Sequence, residues 1–264
     1  MLKTVFGKTL FEKRWLILIW ALAMFVTNLM LVQIFPPMKE AFSGIINDLP
    51  ESLQVWFGDG GQIWATVKGF VSLEMLGQMA LVVVVFGIIF SSSILASEEK
   101  SGLLLTQLAR PISRISFFIQ KYSAFVVATI VVMVGFVLGT SFGTLILGEV
   151  IMPGELLNGA IGVALLVLGL GSLTFAIGAI FANGALAGAL VGFYAVVGYF
   201  IVSLRGTADI LTILSQLTPF YYYNEPNLMY NDFDIKHVLV LLGVIIVPLV
   251  IALPIFVGRD LRTR

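Results

Sequence analysis

Side chains able to do covalent or acid–base chemistry are few in this sequence, and their types exclude most chemistries. No cysteine is present, so disulfides, thiolate zinc sites and cysteine nucleophiles are ruled out. The single histidine, His237, cannot build a multi-histidine metal site or the two-histidine helix of a zinc protease. No glycine-rich loop ending in Lys-Ser or Lys-Thr occurs, so the chain lacks a phosphate cradle for hydrolysing ATP. A carrier driven by protons or ions needs an ionisable group within its apolar stretches. Glu74, near one end of such a stretch, is the nearest approach to one. The formal net charge is zero, which predicts no nucleic-acid partner. No catalytic residue, metal site or bound cofactor is therefore expected.

Polar and charged residues concentrate instead in segments between apolar runs. The most distinctive is Ser97-Glu98-Glu99-Lys100-Ser101-Gly102-Leu103-Leu104-Leu105-Thr106-Gln107-Leu108-Ala109-Arg110-Pro111. Ser97 or Glu98 can cap a helix, the acids complement its dipole, and Pro111 stops it. Leu104, Leu105 and Leu108 form one apolar stripe on a helix spanning about residues 98–109. Ser113 and Arg114 begin another helix that runs through Lys121. A second polar segment is Leu217-Thr218-Pro219-Phe220-Tyr221-Tyr222-Tyr223-Asn224.

The elements that must position these segments are membrane spans. Of the residues, 59% are hydrophobic and only 11% charged, whereas soluble domains carry about a quarter charged. Spans are expected near 15–35, 75–96, 122–147, 157–182, 185–204 and 238–257. The fourth and fifth come from one run, 156–204, of 49 residues without a charge. As a single helix it would reach about 73 Å, so it must fold back, and Asn183-Gly184 is the natural turn. The first run is too long for a signal-peptide core and ends in Phe35-Pro36-Pro37 without a cleavage pattern. The fold class is all-α: a polytopic membrane protein of six spans with short interfacial helices, forming one domain over 1–264.

Basic residues orient the spans. With the N-terminus inside, 11 of the 15 Lys and Arg residues fall inside, leaving Lys39, Lys68, Arg205 and Lys236 outside. An even number of spans also puts both basic termini on one side, the cytoplasm. Leu2, Val5, Phe6 and Leu10 can share the apolar face of a helix at the inner surface; otherwise residues 2–14 are a basic flank that sets topology. The segments 36–70 and 206–236 then face outward. The first is too long for a turn, and short interfacial helices carrying Trp56 and Trp64 are expected in it.

Small residues recur at intervals of four in two spans: Gly135, Gly139 and Gly143, then Gly184, Gly188 and Gly192. Such stripes let another backbone approach closely. The first stripe reads as packing within the chain. The second is a candidate dimer seam. Pro248 and Pro254 should bend the last span.

The run Glu98-Glu99, Gly102, Leu103–Leu105, Arg110-Pro111-Ile112-Ser113-Arg114 and Lys121 resembles the cytoplasmic loop of ABC-type exporter permeases of the six-helix class, with the type V, ABCG-like transmembrane fold. Thr218-Pro219-Phe220-Tyr221-Tyr222-Tyr223-Asn224 is similar to the family's Ser-Pro-Phe-Tyr-Tyr-Tyr-Asn stretch, with Thr218 in place of serine. Phe256-Val257-Gly258-Arg259-Asp260-Leu261 resembles its Phe-x-x-Arg-Asp-Leu ending. Leu103-Leu104-Leu105 departs from the family's Thr-Leu-Glu.

The resemblance implies an exporter subunit in the plasma membrane that moves a hydrophobic or amphipathic substrate outward. It works as a homo- or heterodimer with two copies of a separate ABC ATPase subunit, which binds ATP and magnesium. Glu98, Glu99, Leu104, Leu105, Leu108, Arg110 and Arg114 then become ATPase-coupling residues. Pro219, Phe220, Tyr221, Tyr222, Tyr223 and Asn224 become candidates for an outer gate, with interfacial anchoring by the tyrosines as the other reading. Without the family, residues 98–109 also suit a helix lying on the inner leaflet. The competing function is a non-transporting scaffold or signalling subunit that keeps the permease fold. An intramembrane enzyme is disfavoured because no catalytic polar cluster falls within the spans.

Overall fold

The computed structural model describes residues 4–48, 66–95, 112–223, 229–230 and 234–259. Among the described residues the secondary structure is helical, with no strand. A short helix, α1 (Val5–Glu12), is capped by the Thr4 side chain, which accepts from Gly7 N–H. The first span, α2 (Arg14–Gln33), passes through Ile34 into α3 (Phe35–Asp48). A second helix thus begins where the first apolar run was expected to end, at Phe35-Pro36-Pro37. Both prolines sit in the first turn of α3, where missing N–H groups break no helical bond.

Among the described residues five further helices are long and apolar enough to cross a membrane, making six with α2: α4 (Val67–Ile94), α5 (Arg114–Ile146), α6 (Pro153–Phe181), α7 (Gly184–Ser203) and α10 (Ile235–Gly258). Among the described residues between α7 and α10 are two short helices, α8 (Asp209–Ser215) and α9 (Pro219–Tyr223). The expected helical start at Ser113 is present, its hydroxyl accepting from Ser116 N–H at 3.2 Å. The fold-back between α6 and α7 is also present but differs in detail. Ala182 takes the left-handed conformation (φ 55°), and Asn183 caps α7 by accepting from Leu186 N–H. α10 stays helical through Pro248 and Pro254.

Inter-helix contacts show that the crossings alternate in direction. Gly135 faces Ala21 and Gly139 faces Phe25, so α2 and α5 run parallel. Gly159 faces Leu76 and Gly87 faces Val167, so α4 and α6 run parallel to each other. Thr140, late in α5, meets Met75, early in α4, so these two run antiparallel. The most buried of the spans is α6, which packs against α10, α4, α7 and α5. By contrast, α2 and α10 turn most of their apolar side chains outward, as helices in contact with hydrocarbon do.

The stripe of α5 is used inside the chain. A Cβ at Gly135 would fall on the Ala21 carbonyl oxygen, and one at Gly139 on that of Phe25. Two backbones can touch there because both positions lack a side chain.

Candidate functional site

Functional geometry gathers at the two ends of the bundle. At one end the first helix and the end of the last span both meet the first turns of α5. Phe6 N–H donates to Gln120 Oε1 at 3.2 Å, which seats α1 on α5. Val5 is buried, so this helix packs on a neighbouring span as well as presenting an amphipathic face. Leu2, expected on that face, lies outside the described residues.

Arg114 opens α5 at the same end. A cation at a helix N-terminus gains nothing from its own helix dipole. Its guanidinium instead reaches the end of α10, where Nη1 donates to Val257 O at 2.9 Å and Arg259 O at 2.7 Å. Arg259 continues the chain of contacts, donating from Nη1 to Ile180 O at 3.1 Å. Each arginine thus serves carbonyls at another helix's C-terminus, where positive charge is favoured and acceptors lack helical partners. Two sequence motifs that are 143 residues apart, one around Arg114 and one around Val257, become a single contact.

Above this clasp runs a continuous series of aromatic contacts. It passes from Phe256 of α10 through Phe118, Phe175, Tyr122, Phe125, Phe90 and Phe86 to Trp20 of α2. Centroid separations fall within the 4.5–7 Å range of favourable ring pairs. Tyr122 and Ser172 hydroxyls lie 2.8 Å apart, adding a polar tie between α5 and α6. Lys121 is buried beside the Phe117 ring, 5.5 Å from its centroid.

The opposite, distal end carries the tyrosine segment. Thr218, Pro219, Phe220 and Tyr223 are buried. Tyr223 donates its hydroxyl to Leu76 O at 2.9 Å, within a π-helical stretch of α4 from Val71 to Gln78. A π-turn shifts carbonyls out of the ordinary i→i+4 register, which fits acceptance from a side chain. Tyr194 of α7 donates to Leu217 O at 2.7 Å, which holds the start of the same segment. Tyr221 and Tyr222 pack against His237, with centroids at 5.9 and 5.5 Å. Asn224 lies outside the described residues, as do Glu98, Glu99, Leu104, Leu105, Leu108 and Arg110.

An ion pair missed by the sequence reading closes this end further. Lys68 Nζ lies 2.6 Å from Glu155 Oε1 and 4.3 Å from the Tyr230 ring centroid. It joins the starts of α4 and α6. The partners are 87 residues apart, and no local signal pairs them. Beside it, Ile161, Leu165, Ile235, Val238 and Leu239 line an apolar groove of about 290 Å³ between α6 and α10.

The second glycine stripe divides in two. Gly184 is buried, and a Cβ at Gly188 would meet Ser92 Cβ at 3.6 Å. At Gly192 an added Cβ meets nothing within 4 Å.

Residues 2–256 match the family described as "Multidrug efflux system permease Rv1217c, C-terminal domain". The chain belongs to this permease family. No curated protein matches it. As a permease with six apolar crossings, it is a multi-pass membrane transport protein.

Proposed function

We propose that this permease is the membrane-spanning subunit of an ATP-binding-cassette exporter. It moves a hydrophobic or amphipathic substrate outward, with two separate ATPase subunits binding ATP and magnesium and a second permease completing the pathway. The observation that carries the reading is the anchoring of the two helix ends that flank residues 96–111. Ile94 and Leu95 are buried where α4 ends, and Ser113 caps α5 while Arg114 anchors it to α10. A segment held between two such ends can act as a lever for force generated outside the membrane. The basic asymmetry supports a cytoplasmic placement of this end and of both termini in the cell membrane. The family's description as an efflux permease supports the outward direction.

The ATPase contact is assigned to Glu98, Glu99, Leu104, Leu105, Leu108 and Arg110, with Leu104 and Leu108 entering an apolar groove of the partner. Changing both leucines to aspartate (L104D/L108D) puts two charges at that contact. Burying unpaired charges costs several kcal/mol, roughly, enough to abolish a moderate association. Insertion is unaffected, because no span is altered. The expected result is normal membrane abundance with loss of ATPase co-purification. A double mutant that still binds the ATPase would remove this segment as the contact.

A further inference from the structure

The clasp at the terminal end has a geometry that plain helix capping does not require. Arg114 donates to carbonyls at the end of another span, and one of the residues it holds, Arg259, reaches a third. The connection runs in series from the first turn of α5 to the last turn of α10 and then to the last turn of α6. Directly above it, Phe118 of α5 contacts both Phe175 of α6 and Phe256 of α10, with centroids at 4.9 and 5.7 Å. The same three helices are thus joined twice, once by charge-assisted hydrogen bonds and once by rings. Toward the distal end an apolar groove lies between α6 and α10, and the contacts there include a part-buried ion pair, tyrosine hydroxyls on backbone carbonyls, and the Tyr221 and Tyr222 rings on His237 of α10.

We propose that Arg114 and Arg259 are positioning residues that lock the terminal ends of α5, α10 and α6 into one body. Displacement at the start of α5 then moves three spans together and is expressed as opening at the distal end. This rests on the exporter reading, since that reading supplies the displacement. Arg114 contributes to coupling through α10 rather than by touching the ATPase.

The absence of native cysteine permits spin labelling of the full chain in complex with its ATPase subunit in lipid nanodiscs. Labels at Ile119→Cys paired with Phe181→Cys or Ile255→Cys report the terminal ends of the three spans, and Val150→Cys with Ile210→Cys reports the distal end; all five positions are exposed. Distances are read with and without ATP plus vanadate. With the clasp intact, the terminal distances stay constant and the distal distance shifts with nucleotide. In R114Q the terminal distributions broaden, the distal shift is lost, and ATPase co-purification is kept. R114K restores the distal shift, because one ammonium can still serve the carbonyls of Val257 and Arg259. If R114Q does not accumulate, R259Q cuts the next link and is read the same way. A distal shift in R114Q or R259Q equal to that of the intact clasp refutes the lock alone. A complex in which nucleotide moves no pair, or a chain that binds no ATPase, removes the exporter reading and the lock with it.

Discussion

Replacing Gly139 with alanine tests the packing of the first span against the third. The added Cβ would fall on the Phe25 carbonyl oxygen, 2.8 Å from Phe25 Cα and 2.9 Å from its carbonyl carbon. All three atoms are backbone, so no side chain can swing aside, and α2 must move off α5 as a unit. Overpacking of this kind costs about 1–3 kcal/mol. Alanine recovers up to about 1 kcal/mol through its better helix propensity. The net loss is then up to about 2 kcal/mol, a fall of up to roughly 8 °C in the unfolding midpoint for a chain of this size. The same substitution at Gly192 meets no atom within 4 Å and keeps only the favourable term. Thermal unfolding of the detergent-solubilised chain, monitored by intrinsic tryptophan fluorescence, should move the two variants in opposite directions. A G139A protein as stable as G192A would mean that α2 and α5 do not meet through this stripe.

Other expected outcomes follow from single contacts. Y223F removes the hydroxyl bonded to the Leu76 carbonyl and should cost about 1 kcal/mol, read as a lower unfolding midpoint. No loss there would show that the segment is held by its apolar contacts alone. G192L places a large side chain on the open part of the α7 stripe. If this stripe forms a dimer seam, cross-linking in lipid falls while the monomer stays folded; undiminished dimer would move the seam elsewhere. D59C in the cysteine-free chain should react with an impermeant maleimide on intact cells, and reaction only after permeabilisation would invert the orientation.

Much of the fold is legible in the sequence because the bilayer imposes a local rule. Each crossing needs about 20 apolar residues with internally satisfied backbone, so span positions follow from short stretches of chain. Caps are equally local, as at Ser113 and Asn183, whose side chains reach only three residues ahead. The Pro36-Pro37 pair marks the boundary after α2, and the first turn of the new helix α3 tolerates it. The fold-back appears at Asn183-Gly184 in sequence, yet Ala182 takes the left-handed angle once Asn183 is committed to capping α7.

The candidate sites were legible as motifs but not as contacts. Arg114 and Arg259 stand out in the sequence, yet nothing local says that one holds the other's carbonyl or that the second reaches Ile180. Lys68 and Glu155 look like ordinary flanking charges until α4 and α6 bring them to 2.6 Å. The two glycine stripes are alike as spacing, but one is filled by Ala21 and Phe25 and the other opens at Gly192. Sequence alone determined which segments are apolar enough to cross and where their helices start. Tertiary structure decided which faces meet, because the hydrocarbon rewards every apolar face alike and leaves the choice to backbone fit, ring contacts and a few long-range hydrogen bonds.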